Sequence, residues 1–336
     1  FGIVLTGVFF AAALWKRGLT TLADLFRQRY GIGVERMASV IMIPGSVMWA
    51  AAQVRAFGQV LASSSEIGLF AALTLAAIVV VAYTAVGGMW ADAVTDLVQG
   101  IVLLEGVVLL FVVFVNLGGI DAIRNLPPEK LSFTHGHSGW QTFDLLAVPI
   151  FSTIAAQELV SRILAMRGAK LAGGATITAG LMYMVLGTLP VMVGLGAAAF
   201  IGADKDPEQA LSRFAASQLP LPLYILFLAA LVSAILSTLS GALLVAGSLA
   251  AHNIVSPLLP GITEKGRLKA NRIAVVALGV VAYLIALSSE SMYALVQEAS
   301  ALGSSGVLVM MLFALWGQRI GGAACLNQDD GGRGGG

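Results

Sequence analysis

The sequence predicts an all-α, polytopic membrane protein, and three observations carry that prediction. Of its 336 residues, 58% are hydrophobic and 11% charged, with a mean hydropathy of +0.91. One soluble core has no room for that much apolar surface, so the surface faces lipid. Apolar runs of the roughly 20 residues needed to cross a bilayer recur along the chain, separated by short polar segments. These runs are continuous, as from Leu75 to Ala82, and do not alternate in segments of about 10, which excludes a β-barrel. The third observation is the sorting of positive charge between alternate loops, taken up below.

The chain opens inside an apolar stretch, Phe1 to Leu14, with no initiator Met or charged segment before it, and reads as a truncated helix rather than a signal peptide. Further spans are expected at roughly 38–62, 67–87, 94–116, 144–165, 172–202, 221–250, 271–288 and 293–316, about nine helices in all. The loop after the first carries Lys16, Arg17, Arg27, Arg29 and Arg36. Two hairpins on come Arg162, Arg167 and Lys170, then Lys265, Arg267, Lys269 and Arg272, and lastly Arg319. Intervening loops hold only Arg124, Lys130, Lys205 and Arg213, so the positive-inside rule places the first set in the cytoplasm.

Within the first loop, TLADLFRQRY at 21–30 interleaves apolar residues with arginines, as in a short helix along the cytoplasmic interface or an ordinary loop helix. The outer loop near 117–143 holds Pro127, Pro128 and the pair His135 and His137, which without further ligands reads as solvated loop rather than a metal site. Residues 1–322 form one transmembrane domain, and the polar, Gly-rich stretch 323–336 reads as a disordered tail. The net charge of +1 gathers in no patch, which excludes nucleic acid as a partner, and the single Cys325 excludes an internal disulfide. The lipid bilayer of the cell membrane is the expected surrounding, and no obligatory protein partner is inferred.

Polar groups inside spans cost roughly 2.5 to 3.5 kcal/mol each at a helix centre, so they mark where function lies. Asp96 opens the span after Gly87-Gly88, four residues beyond Asp92 and on the same helical face, with Asp92 read as interfacial. Glu105 points about half a turn away from Asp96 and is expected to touch a neighbouring helix. Arg55 shares an apolar span with Gln53 and Gln59; its guanidinium could clamp a carboxylate, or could pair internally. Pro149 falls early in its span and Gln157 and Glu158 late, which suits a helix interrupted near the midplane. The run LVSAILSTLSGALLVA at 231–246 clusters Ser233, Ala234, Ser237, Thr238, Ser240 and Gly241. Hard oxygen ligands for an alkali cation and small residues for helix packing both fit that run.

Three segments resemble the sodium/solute symporters, carriers of proline, sugars, pantothenate and sialic acid: GGMWADAVTDLVQG at 87–100, QELVSRILAMRGAK at 157–170 and SAILSTLSGALLV at 233–245. TLADLFRQRYG at 21–31 and DPEQAL at 206–211 agree, and all five stand in the family's order. The resemblance implies a LeuT-type inverted-repeat fold whose first core helix precedes Phe1. It implies sodium as the coupling ion, held by the Ala234 carbonyl and the Ser237 and Thr238 hydroxyls with Asp96 close by. Ser240 suits a second sodium, although Gly241 stands where a hydroxyl is wanted. Gln53, Phe151, Glu158 and Gln297 are implied to lie on helices lining the solute cavity.

The expected function is sodium-coupled symport of a small organic solute by alternating access, with Arg55, if it faces the cavity, favouring one that bears a carboxylate. Two alternatives stay open: a transporter-like solute sensor of a signalling protein, and a proton-coupled carrier using Asp96 or Glu158. No Ser/His/Asp or metal constellation gathers on one side of the membrane, so an enzyme is not expected.

Overall fold

The structure, a computed structural model, describes residues 1–317 except 133, 135, 137, 203–208, 260 and 290; the side chains of 89–91 and 301–305 also fall outside the description. His135, His137, Lys205, the start of DPEQAL, Arg319, Cys325 and the polar tail therefore lie outside the described residues. Among the described residues every regular element is a helix.

In order these are Gly2–Trp15 (α1), Leu22–Tyr30 (α2), Ile32–Ser64 (α3), Leu69–Gly88 (α4) and Asp92–Asn116 (α5). Two short helical pieces follow, then Gly139–Ile154 (α6), Gln157–Leu164 (α7), Ala169–Ile201 (α8), Ala210–Gln218 (α9), Leu221–Leu258 (α10), Glu264–Ser288 (α11) and Met292–Trp316 (α12). Seven spans among the described residues are long and apolar enough to cross a membrane, counting α6 and α7 as one; α1 and α12 are the other two of the nine expected.

Several helices run past their expected ends. α3 starts at Ile32 rather than near residue 38, and α10 continues to Leu258 rather than 250. Hydropathy marks the part of a helix in lipid, whereas backbone hydrogen bonding continues into polar sequence beyond it. α10 is irregular at that extension, winding as a π-helix from Leu249 to Val255. Gly88 separates α4 from α5 with φ 66°, a left-handed value open to glycine at little cost.

The interrupted helix is confirmed, but the break is not at the proline. α6 passes through Pro149, where the Thr153 hydroxyl donates to the Pro149 carbonyl at 2.7 Å, and breaks at Ala155 and Ala156, where ψ moves to 2° and then 118°. Glu158 therefore stands in the first turn of a new helix, where the exposed N–H groups favour negative charge.

Small residues set the helix spacing. Ala50, Ala51 and Ala52 of α3, Ala76 of α4 and Ala242 and Ala246 of α10 are buried in one cluster with α11. Where α5 crosses α10, a Cβ on Gly106 would lie 2.2 Å from the Ala230 Cβ, so only glycine permits the approach. The next residue back, Glu105, is exposed on α5, not buried against a neighbouring helix as expected.

Candidate ion and solute site

The α5–α10 contact joins two polar faces. On α5, Asp92 and Asp96 are one turn apart; on α10, Ser237 and Ser240 are likewise on one face. Because the helices run in opposite directions here, the residues match in pairs: the Ser237 hydroxyl donates to Asp96 Oδ1 and the Ser240 hydroxyl to Asp92 Oδ1. The second oxygen of each carboxylate faces one guanidinium on α7. Arg162 Nη2 lies 2.7 Å from Asp96 Oδ2 and 3.5 Å from Asp92 Oδ2. The two aspartates are 15% and 6% exposed, so this charge is held largely away from water.

Gly241 acquires a reason at this point. A Cβ there would be 3.3 Å from Arg162 Nη2, so the missing hydroxyl leaves room for the guanidinium beside α10. Two carboxylates against one guanidinium leave a charge of −1, which one monovalent cation would balance. Buried charge without a partner is strongly destabilising.

One turn along α10, the Thr238 hydroxyl donates to the Ala234 carbonyl at 2.9 Å, bringing two of the expected sodium ligands together. Ser237 turns instead to Asp96. The set of hydroxyl, carbonyl and carboxylate oxygens suits a hard cation such as sodium.

On α7, Glu158 precedes Arg162 by one turn and accepts a hydrogen bond from Ser46 of α3 at 2.7 Å. Gln53, seven residues beyond Ser46 and so on the same side of α3, is half-buried. The other expected cavity residues are more dispersed. Phe151 is exposed on α6, and Gln297 is exposed on α12, donating to the Tyr293 hydroxyl at 3.0 Å. Arg55 is buried and donates to the Ala286 carbonyl on α11 at 3.3 Å, so one edge of its guanidinium faces α11.

Sequence reasoning missed three members of this site. Asp92 is buried rather than interfacial, and its spacing from Asp96 was the available signal. Arg162, counted among cytoplasmic loop cations, is paired with both aspartates. Ser46 carried no sequence signal, because a lone serine in an apolar span is unremarkable.

A bundle of long apolar helices, one of them broken beside buried carboxylates, defines a secondary carrier. The model of the sodium:solute symporter family matches residues 1–326, and the chain belongs to that family. It is a multi-pass protein of the cell membrane in a family of carriers rather than enzymes.

Among similar proteins, the high-affinity choline transporter 1 of Caenorhabditis elegans is 27% identical over 87% of this chain and 54% of its own length. The human high affinity choline transporter 1 is 26% identical, with the same coverages. An uncharacterized symporter, YwcA, of Bacillus subtilis is 26% identical over 94% of this chain and 66% of its own length. The chain thus spans about half the length of the choline transporters it matches. A solved structure of a sodium-coupled sialic acid symporter in a substrate-bound outward-open state aligns with TM-score 0.74 at 16% identity, covering 94% of this chain and 72% of that one. The fold is accordingly the LeuT-type carrier fold.

Proposed function

We propose that this chain forms the ion- and solute-binding region of a sodium-coupled symporter for a small organic solute, working by alternating access. The observation that carries the reading is the Asp96–Ser237 contact between α5 and α10, adjoining in sequence the Thr238–Ala234 pair, a group of oxygens with residual negative charge when both aspartates are ionised. Sodium binds there and favours the outward-facing state; the solute binds at the break between α6 and α7. A ligand shifts such an equilibrium only by its differential affinity for the two states, so coupling requires sodium and solute to strengthen each other's binding. Inward movement of one sodium gains about 2.3 kcal/mol per 100 mV of membrane potential, before any concentration gradient.

The relatives' names span opposite solute charges, choline being a cation and sialic acid an anion. The expectation of a carboxylate-bearing solute rested on Arg55, which donates to α11. The charged group at the helix break is Glu158, in the α7 N-terminal turn, where a solute carboxylate would meet a like charge. That supports a solute with a positive group.

The test is uptake of labelled choline, proline, glucose, pantothenate, sialic acid and acetate by the full-length protein in liposomes, with and without an inward sodium gradient. Sodium-dependent accumulation of choline is the expected outcome. Uptake that follows a pH gradient and ignores sodium refutes sodium coupling, and sodium-driven uptake of acetate in place of choline refutes the solute charge.

A further inference from the structure

We propose that α2, the short helix on the cytoplasmic side, is a latch that holds the inner face of the carrier closed, with Asp24 and Asn253 as its clasp. The inference rests on alternating access as read above, but its clasp uses none of the residues assigned there to the ion or the solute.

α2 begins with a capping box: Thr21 is the N-cap, and Asp24 Oδ2 accepts from the backbone N–H groups of Thr20 and Thr21 at 2.8 and 3.0 Å. The other Asp24 oxygen leaves the helix. It accepts from Asn253 Nδ2 at 2.9 Å and faces His252 Nε2 at 3.2 Å, both on the π-wound end of α10. Asn253 is fully buried and shared three ways. Its Nδ2 also donates to Glu35 Oε1 of α3 at 2.8 Å, and its Oδ1 accepts from the Thr21 hydroxyl at 2.9 Å. Glu35 is itself fully buried, with Arg27 Nε of α2 3.7 Å from its second oxygen.

The same helix is tied elsewhere. The Leu22 N–H donates to Gln157 Oε1 at the start of α7, and Arg29 Nη2 donates to the Gly317 carbonyl just past α12 at 2.7 Å. One nine-residue helix is thereby bonded to α7, α10 and the end of α12, and paired with α3 through Arg27 and Glu35.

Two features mark this as a device rather than ordinary packing. Asn253 and Asp24 have each side-chain oxygen or nitrogen bonded, while the second Glu35 oxygen has only Arg27 at 3.7 Å, and losing a buried partner is costly, so such a knot is bistable rather than yielding. Consecutive residues of the π-wound stretch, His252 and Asn253, also both reach the same carboxylate, and such irregular turns inside helices recur at functional sites. α10 carries the ion ligands and α7 carries Glu158 and Arg162. Inward opening must separate elements that α2 joins, so ion release and unlatching are one event.

The test uses the full-length protein with its native cysteines, Cys325 among them, replaced by Ser and a reporter, Ser39→Cys, one turn beyond Glu35 and fully buried. In inside-out vesicles, a membrane-impermeant maleimide should label the reporter about tenfold faster in Asp24→Asn, while Asp24→Glu, which keeps the carboxylate, should stay near the parent rate. Should Asp24→Asn fail to reach the membrane, Asn253→Ser is read in the same way. Sodium dependence is measured in parallel: the unlatched variant should need about five- to tenfold more external sodium for half-maximal uptake, with solute exchange at saturating sodium preserved. Parent-like labelling in both Asp24→Asn and Asn253→Ser overturns the latch, as does loss of exchange together with faster labelling, the pattern of local unfolding. Faster labelling in a protein whose uptake ignores sodium leaves the latch standing and removes the sodium coupling instead.

Discussion

Replacing Ser237 should damage sodium dependence far more than replacing its neighbour Thr238, although both are hydroxyl residues of the same helix turn. The Ser237 hydroxyl crosses from α10 to α5 and donates to the Asp96 carboxylate. A hydrogen bond to a charged acceptor contributes about 1.5–3 kcal/mol, which corresponds to about 10- to 150-fold in an equilibrium constant. Without it, Asp96 Oδ1 loses its donor on α10 and the carboxylate is oriented by Arg162 alone. The Thr238 hydroxyl bonds the Ala234 carbonyl of its own helix at 2.9 Å, a neutral contact worth about 0.5–1.5 kcal/mol, or about 2- to 12-fold. Thr238→Ala leaves that carbonyl in place and removes one ligand. The assay is solute uptake by the full-length protein in liposomes, titrated with sodium at fixed solute. The expected order of half-saturating sodium is wild type, then Thr238→Ala, then Ser237→Ala. A Thr238→Ala shift equal to or larger than that of Ser237→Ala refutes the assignment of Asp96 and Ser237 as the coupled pair.

Arg162→Gln should leave two carboxylates side by side with no counter-charge and lower the thermal midpoint in detergent, by less than the about 3–5 kcal/mol of a fully buried pair because the Arg162 side chain is half exposed; adding Asp92→Asn should recover part of it, and an unchanged midpoint in Arg162→Gln counts against the ion pair. Gly106→Ala should force α5 from α10 at a cost of about 1–3 kcal/mol, which Ala230→Gly relieves; a neutral Gly106→Ala in the same melting assay would show that the helices do not approach as described. Burial raises the Asp24 pKa, but the His252 contact and the Thr20 and Thr21 N–H groups outweigh it and bring it from 3.8 to about 2. Its folded-state value is depressed, so its contribution, about 2 kcal/mol, is fully present above 3.8 and lost as pH falls toward about 2. The midpoint difference between wild type and Asp24→Asn should therefore persist at pH 5, where Asp24 is still ionised, and a difference that vanishes by pH 5 contradicts the stated cause.

The spans were legible because lipid imposes one strong rule, and a run such as Leu75 to Ala82 obeys it without reference to any other part of the chain. The interruption near Gln157 was legible for a related reason, since polar residues at that depth need exposed backbone or a cavity. Its position was not, because a proline can sit inside a span whose helix continues, as Pro149 does in α6. The hydroxyl face of α10 was visible as composition, yet its function stayed undecided between packing and ligation until α5 was set against it. Arg162 was misread for the most general reason. Charge counting by loop treats every cation near a span end as solvated, and only the fold brings two aspartates, 66 and 70 residues earlier in the sequence, against this one.

The eight residues of α7 link the two polar networks of the molecule. Gln157 accepts from the N-terminus of α2, Glu158 accepts from Ser46 of α3, and Arg162 grips the aspartates of α5. The break at Ala155 and Ala156 frees this short helix from α6, so it can tilt without dragging a full span through the bilayer. On the proposed reading, a solute held by Glu158 and an ion balancing Asp92 and Asp96 would act on opposite turns of one short helix, whose first residue bonds the proposed latch. Either ligand alone leaves one end of that helix unbalanced, with a charge in the membrane interior lacking its partner. That is a physical route by which ion and solute would come to need each other, and it places the coupling in α7 rather than in any direct contact between the two.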